Sequence, residues 1–172
     1  VLTGDVGGGF GPRNNLYPEF VLAAWAARRC ARPVKWSGSR SEGFLSDYQA
    51  RDLTIEAALA FDDSGRILAI RCDHLGDIGG HAVSFVPLSN GPRLTTSVYE
   101  IAAGFAEIRG RFSNSVPTSV FRGAGRPEAM FAIERLIEAA ARRLGMDRFE
   151  IRRRNLIPAD SLPYASPMGP TY

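Results

Sequence analysis

Between Arg51 and Leu75 the apolar side chains recur at every second position, a period that suits extended chain and not helix. Leu53, Ile55, Leu59 and Phe61 alternate with polar or small residues, "DDSG" supplies a turn, and Leu68, Ile70 and Cys72 alternate on the way back. The pattern predicts a long antiparallel hairpin, which needs a partner layer over its apolar face. "RPEAMFAIERLIEAAARRLG" at 126–145 has the other period: Ile133, Leu136, Ile137, Ala140 and Leu144 form one stripe, with Glu134, Glu138 and Arg142 opposite and Gly145 placed to cap the end. Asp147 with Glu150 resembles a capping box for a further helix through Asn155, with Asp in place of Ser or Thr.

Nearer the start, "YPEFVLAAWAARRCARP" predicts a helix of about four turns, with Pro18 in its first turn and Pro33 as its stop. Its middle is apolar on nearly every side, the signature of a buried helix. "PVKWSGS" reads as a short strand, 76–92 as loop, and 99–108 and 109–115 as two strands. The expectation is an α+β domain in which an antiparallel hairpin and short strands pack with about three helices. Tail residues 161–172 show no helix or strand pattern with which to dock.

At 172 residues, 45% hydrophobic and 23% charged, the chain suits one globular core and not disorder. A net charge of +3 is too small and too scattered for a nucleic-acid partner, and "IRRRN" at 151–155 reads as a solvated helix face. Cys30 and Cys72 form no disulfide or zinc pattern and cannot alone hold an iron–sulfur cluster. Buried free thiols suit a reducing, cytoplasmic setting. No segment has the length of a membrane span or the pattern of a signal peptide. The opening on Val1 and the irregular tail lead to the expectation that 1–172 is a piece of a longer polypeptide.

Two glycine motifs stand out. "DVGGGFGPR" at 5–13 fits neither the dinucleotide fingerprint nor the P-loop, so it is either a tight turn or a place where a ligand approaches the backbone. "SVFRGAGRPEAMFAIER" at 119–135 runs from a strand-like end through Arg122 and Gly123-Ala124-Gly125 to Arg126 and a helix start, the make-up of an anion-binding nest. His74 and His81, with Asp73 and Asp77 around the first, have no partner fixed by spacing and read as structural or loop residues. The sequence therefore offers two cradles without acid–base machinery, which suits a cofactor that brings its own reactive atom.

Taken together, "DVGGGFGPR", the helix and "PVKW" after it, and "FRGAGRPEAMFAIERLIEAAARRLGMDRFEIRRRNLIP" resemble the molybdenum-cofactor-binding large subunit of the xanthine dehydrogenase, aldehyde oxidase and carbon monoxide dehydrogenase family. The resemblance implies a partial molybdopterin-binding domain whose parent is a molybdenum hydroxylase. It would insert oxygen from water into an aldehyde or N-heterocycle, with electrons leaving to iron–sulfur and FAD subunits or domains. It implies that Gly9, Phe10 and Gly11 approach the metal's oxygen ligands, with the Gly11 N–H as donor, and that Arg122, Gly123 and Ala124 contact the pterin. The pterin's cytosine dinucleotide form is one option, and no side chain of these motifs ligates the metal. Asn14 stands where purine-oxidising relatives carry glutamate, and "RGAGR" lacks the cysteine of copper-containing carbon monoxide dehydrogenases. The family's catalytic glutamate is expected beyond Tyr172 and a glutamine motif before Val1, so this piece alone is expected to be inactive. The residue pattern itself also allows a non-catalytic anion- or nucleotide-binding module, or a scaffold segment that binds only its own subunits.

Overall fold

The computed structural model of the chain describes residues 2–172. Its elements run α1 (Pro18–Cys30), α2 (Arg40–Ser46), β1 (Leu53–Phe61), β2 (Ile67–Gly79), α3 (Val86–Arg93), β3 (Ala103–Phe112), α4 (Arg126–Leu144) and α5 (Arg148–Asn155). The three strands form one sheet in the order β1-β2-β3. The predicted hairpin is present: β1 pairs antiparallel with β2 from Leu53 opposite Gly76 to Phe61 opposite Ile67. Asp62 closes its turn by accepting from the Ser64 and Arg66 amides.

The register explains the core. Ile55, Ala57 and Leu59 lie opposite His74, Cys72 and Ile70, which places their side chains on one face of the sheet. Helix α4 covers that face with Ile133, Ile137, Ala140 and Ala141, joined by Tyr99, Ile101 and Ile151. Ile101, Ile133, Ile137 and Ile151 are almost fully buried, each stabilising the fold by about 1.5–3 kcal/mol. Gly145 ends α4 in the left-handed conformation, as its position in the sequence predicts. Asp147 caps α5 by accepting from the Phe149 and Glu150 amides, so half of the anticipated capping box is made.

Asn155 ties α5 to the hairpin. Its side-chain amide donates to the carbonyls of Gly65 and Ile151, both at 2.8 Å, and its oxygen accepts from the Ile67 amide at 2.8 Å. The adjacent arginines are used locally: Arg152 reaches Glu134 and Glu138 on α4, while Arg153 and Arg154 pair with Glu150.

Several expectations are corrected. The described chain has five α-helices in place of about three. Segment 33–39 forms no strand, and among the described residues no strand lies beside it to take its hydrogen bonds. Residues 40–46 instead form α2, started by a reciprocal capping box between Ser39 and Glu42. The stretch 76–92 holds the end of β2 and all but the last residue of α3, not a loop. Its helix escapes a periodicity argument because Pro87 sits in its first turn and Pro92 near its end.

The strands expected at 99–108 and 109–115 are one strand, β3, and it runs parallel to β2. A parallel pair needs a crossover, and α3 lies within it. The tail does dock, through side chains: the Tyr164 hydroxyl bonds the Ile101 backbone and Ser166 meets Thr96 at 2.9 Å.

The largest correction concerns α1. It occupies Pro18–Cys30 of the predicted stretch, yet no residue of the helix is buried, and Val21, Leu22 and Trp25 are 51%, 60% and 63% exposed. Cys30 at its end is likewise exposed, against the expectation of two buried thiols. Cys72 is buried, and that burial pushes its thiol up to about 11, with Asp73 adding to the effect.

Candidate cofactor-binding site

The two glycine motifs, more than a hundred residues apart in sequence, meet in space. The Arg122 amide donates to the Phe10 carbonyl at 2.9 Å. Asn15 adds a second link, its side-chain amide donating to the Pro12 carbonyl at 3.0 Å and to the Ser119 hydroxyl at 2.9 Å. Tyr17 is buried beneath the first turn, and its hydroxyl donates to the same Pro12 carbonyl at 3.3 Å.

The approach is closest at Gly11. Its φ is +110°, and a Cβ there would lie 2.6 Å from the Val120 carbonyl oxygen. Part of the glycine requirement in "DVGGGFGPR" is therefore internal, since the nearest neighbour of Gly11 is the backbone of the second motif. The other face is open. The amides of Gly9, Phe10 and Gly11 find no acceptor among the described residues. The Phe10 side chain is 53% exposed, its ring 6.5 Å from that of Phe121.

In the second motif Gly123, Ala124 and Gly125 have φ of +98°, +48° and +94°, three successive left-handed residues that shape a concave run of backbone. Gly125 leads into α4 with no side-chain cap, and a Cβ on it would lie 2.9 Å from the Gly91 nitrogen of α3. The Ala124 and Arg126 amides are spent inside the turn, on Phe121 and Gly123. Among the described residues the Gly123 and Gly125 amides have no acceptor. The Arg122 side chain is exposed and has neither an acidic partner nor a hydrogen bond among the described residues.

The structure thus brings Gly9, Phe10, Gly11, Arg122, Gly123 and Ala124 into one region. It also adds Asn15, Ser119 and Arg51, which the sequence analysis did not single out. Asn15 lies two residues after the first motif and Ser119 opens the second, so proximity could have flagged both; Arg51 carries no local pattern. What the region offers is unfilled donors, backbone N–H groups and a guanidinium, suited to polar or anionic oxygens brought close to bare backbone.

Neither histidine belongs to this site. His74 is buried in β2, and both ring nitrogens lack a hydrogen-bond partner among the described residues. Burial pushes its imidazole down, with Asp73 opposing. His81 is exposed after β2. Asp77 serves structure: it accepts from Ser113 at 2.6 Å and from the Gly79 amide at 2.8 Å, which hold its carboxyl below the usual range. Among the described residues no three His, Cys, Asp or Glu side chains converge as a metal site, and no helix is long and apolar enough to cross a membrane.

A turn pair of this kind, on an α+β scaffold, presents unfilled backbone donors on one side of the molecule. The chain belongs to the molybdopterin cofactor-binding domain family, whose description matches residues 1–156 and so includes both motifs. It is 35% identical to the gamma subunit of the 6-hydroxypseudooxynicotine dehydrogenase complex of Paenarthrobacter nicotinovorans, over 93% of this chain and 20% of the relative. It is also 35% identical to the carbon monoxide dehydrogenase large chain of Afipia carboxidovorans, over 100% of this chain and 22% of the relative. Among solved structures, quinoline 2-oxidoreductase from Pseudomonas putida 86 superposes with a TM-score of 0.91 at 36% identity, over 98% of this chain and 22% of that one. The chain thus spans about a fifth of the length of the relatives it matches.

Proposed function

We propose that residues 1–172 are the part of a molybdenum hydroxylase large subunit that holds the molybdopterin between its two glycine turns, and that the whole protein hydroxylates an N-heterocycle or an aldehyde with oxygen from water. The observation that carries this reading is the meeting of the turns at the Arg122 amide and Phe10 carbonyl, 2.9 Å apart, with unfilled donors on both sides. The donor set fits the group. A metallopterin presents oxo or hydroxo oxygens, ring heteroatoms and phosphate, all acceptors, to a site made of N–H groups and a guanidinium.

When bound, the cofactor supplies the redox centre at which oxygen from water reaches carbon and the substrate gives up two electrons. This chain's residues bind and orient it. The Gly11 N–H, unfilled here, would donate to an acceptor of the group, and Gly9, without a side chain, would leave room for it. Phe10 presents an apolar wall beside it. The Arg122 guanidinium and the Gly123 turn take the pterin, in the cytosine dinucleotide form or the plain one. Ala124 contacts it without donating, because its own amide is spent on Phe121 at 2.7 Å.

The substrate class is supported by relatives named for nicotine and quinoline, both N-heterocycles. Asn14 in place of glutamate disfavours purines, and the absence of cysteine from "RGAGR" disfavours carbon monoxide. The relatives' names, "subunit gamma" and "large chain", support partner subunits; that these carry iron–sulfur clusters and FAD, alongside the remainder of the large subunit, follows from the family resemblance alone. The anion- or nucleotide-binding module is not favoured, since one family match takes in both motifs.

The test is turnover by the full-length protein with its partners in water enriched in oxygen-18, on aldehydes, N-heterocycles, purines and carbon monoxide. Labelled product from an aldehyde or heterocycle is expected. Unlabelled product, or turnover of carbon monoxide or purines alone, would contradict the reading.

A further inference from the structure

We infer that Arg51, a residue in neither glycine motif, is the positioning residue that fixes the second turn against the first, and that cofactor retention depends on it. The inference rests on the cofactor reading of the site. Arg51 lies just before β1, at φ +62°. A non-glycine residue in the left-handed region persists only where its surroundings over-determine it, and such residues gather at functional sites.

The surroundings of Arg51 are specific. Its guanidinium donates to the Arg122 carbonyl at 2.7 Å, lies 5.1 Å from the centre of the Phe121 ring, and comes within 3.8 Å of the Glu128 carboxylate. These contacts bracket Gly123-Ala124-Gly125, with Phe121 and Arg122 before the turn and Glu128 in the first turn of α4 after it. The residue Arg122 is then held at both ends of its backbone: its N–H bonds Phe10 of the first motif, and its C=O bonds Arg51. Its side chain is left without a protein partner among the described residues, free to meet a ligand.

The contacts differ in weight. The ion pair to Glu128 is long at 3.8 Å and makes no hydrogen bond; with Arg51 34% and Glu128 11% accessible, it is the weakest of the contacts. The short charge-assisted bond to the Arg122 carbonyl, together with the cation–π contact to Phe121, carries the positioning. Lysine could keep the charge and one bond but lacks the separate donors with which the guanidinium reaches the Arg122 carbonyl and Glu128 at once.

The test uses the full-length protein with its partner subunits, in wild-type form and as Arg51→Ala, Arg51→Lys and Glu128→Gln. Hydrogen exchange over residues 119–126 is measured without cofactor, and molybdenum and pterin per polypeptide are measured after loading. Arg51→Ala is expected to speed exchange at 119–126 by roughly tenfold, the loss of one charge-assisted hydrogen bond, while 133–144 stays protected and molybdenum content falls several-fold. Arg51→Lys should restore part of both, and Glu128→Gln should match wild type.

Unchanged exchange at 119–126, full molybdenum content in Arg51→Ala, or a loss in Glu128→Gln equal to that in Arg51→Ala would overturn the inference. Equal loosening of 133–144 would overturn it too, by showing a general structural role. If Arg51→Ala does not fold, Arg51→Lys decides by the same two readouts. Wild-type protein that takes up no molybdenum would defeat the cofactor reading itself, while exchange at 119–126 would still decide whether Arg51 clamps the turn.

Discussion

The sheet with α4 and α5 carries its own core, whereas the N-terminal third, from the first glycine turn through α2, carries almost none. In the first region Ile101, Ile133, Ile137 and Ile151 are at most 1% exposed. In the second, Leu16, Leu22, Trp25, Phe44 and Leu45 are each at least 60% exposed. Both regions have ordinary helix composition, so composition does not separate them. The difference is that α4 has a sheet face of matching period to cover, and α1 has no such neighbour among the described residues. The exceptions in the N-terminal region are informative: Tyr17 is buried and Asn15 reaches Ser119, so the anchored part of this region is the part beside the glycine turns.

The contrast can be broken most forcefully by truncation. Ile137→Ala is expected to destabilise the chain by about 2–5 kcal/mol, the usual cost of emptying a well-packed core site. Leu22→Ala, on the bare face of α1, should stay within about 0.5 kcal/mol. Denaturant unfolding of both variants checks this; equal losses would mean that α1 is packed after all. Asn155→Ala should cost about 1–3 kcal/mol, because it strips the partners from the Ile67 amide and from the Gly65 and Ile151 carbonyls. Loss of protection at the 62–66 turn by hydrogen exchange would locate the effect.

A smaller effect separates the regions by pH. His74 is held neutral by burial, so its folded-state affinity for a proton is below its unfolded one. Its contribution is fully present above the unfolded value of about 6.5 and is lost as pH falls below it, because the unfolded chain then binds the extra proton. Asp77, held low by Ser113 and the Gly79 amide, adds a further loss only as pH falls below the ordinary carboxylate range. Unfolding free energy measured between pH 7 and 5 should therefore decline, and His74→Leu should flatten that decline. An unaltered slope in the variant would place the acid sensitivity elsewhere.

What was legible in the sequence follows the same division. The hairpin and α4 could be read because each buries one face, and burial imposes a period. Gly145 and Asp147 could be read because caps are local chemistry. The direction of β3 could not, since parallel pairing depends on the path through α3 and leaves no mark on the strand itself. The exposure of α1 could not be read either, because an apolar helix records that it needs a cover and not whether one is at hand. At the site, the glycines and Arg122 announced themselves by residue type. Arg51 did not, because its bond to the Arg122 carbonyl spans 71 positions and uses an ordinary residue at a strand entrance.

The central claim is that the two glycine turns form one cofactor-holding site, and Arg122 tests it most directly. In the full-length protein, molybdenum per polypeptide and the thermal midpoint of the cofactor-free form should be measured together for wild type and Arg122→Ala. Because the Arg122 side chain is exposed and unpaired among the described residues, its loss should lower molybdenum content several-fold and leave the cofactor-free midpoint where it was. Unchanged molybdenum content with a large fall in that midpoint would show Arg122 to be structural and would contradict the joint site.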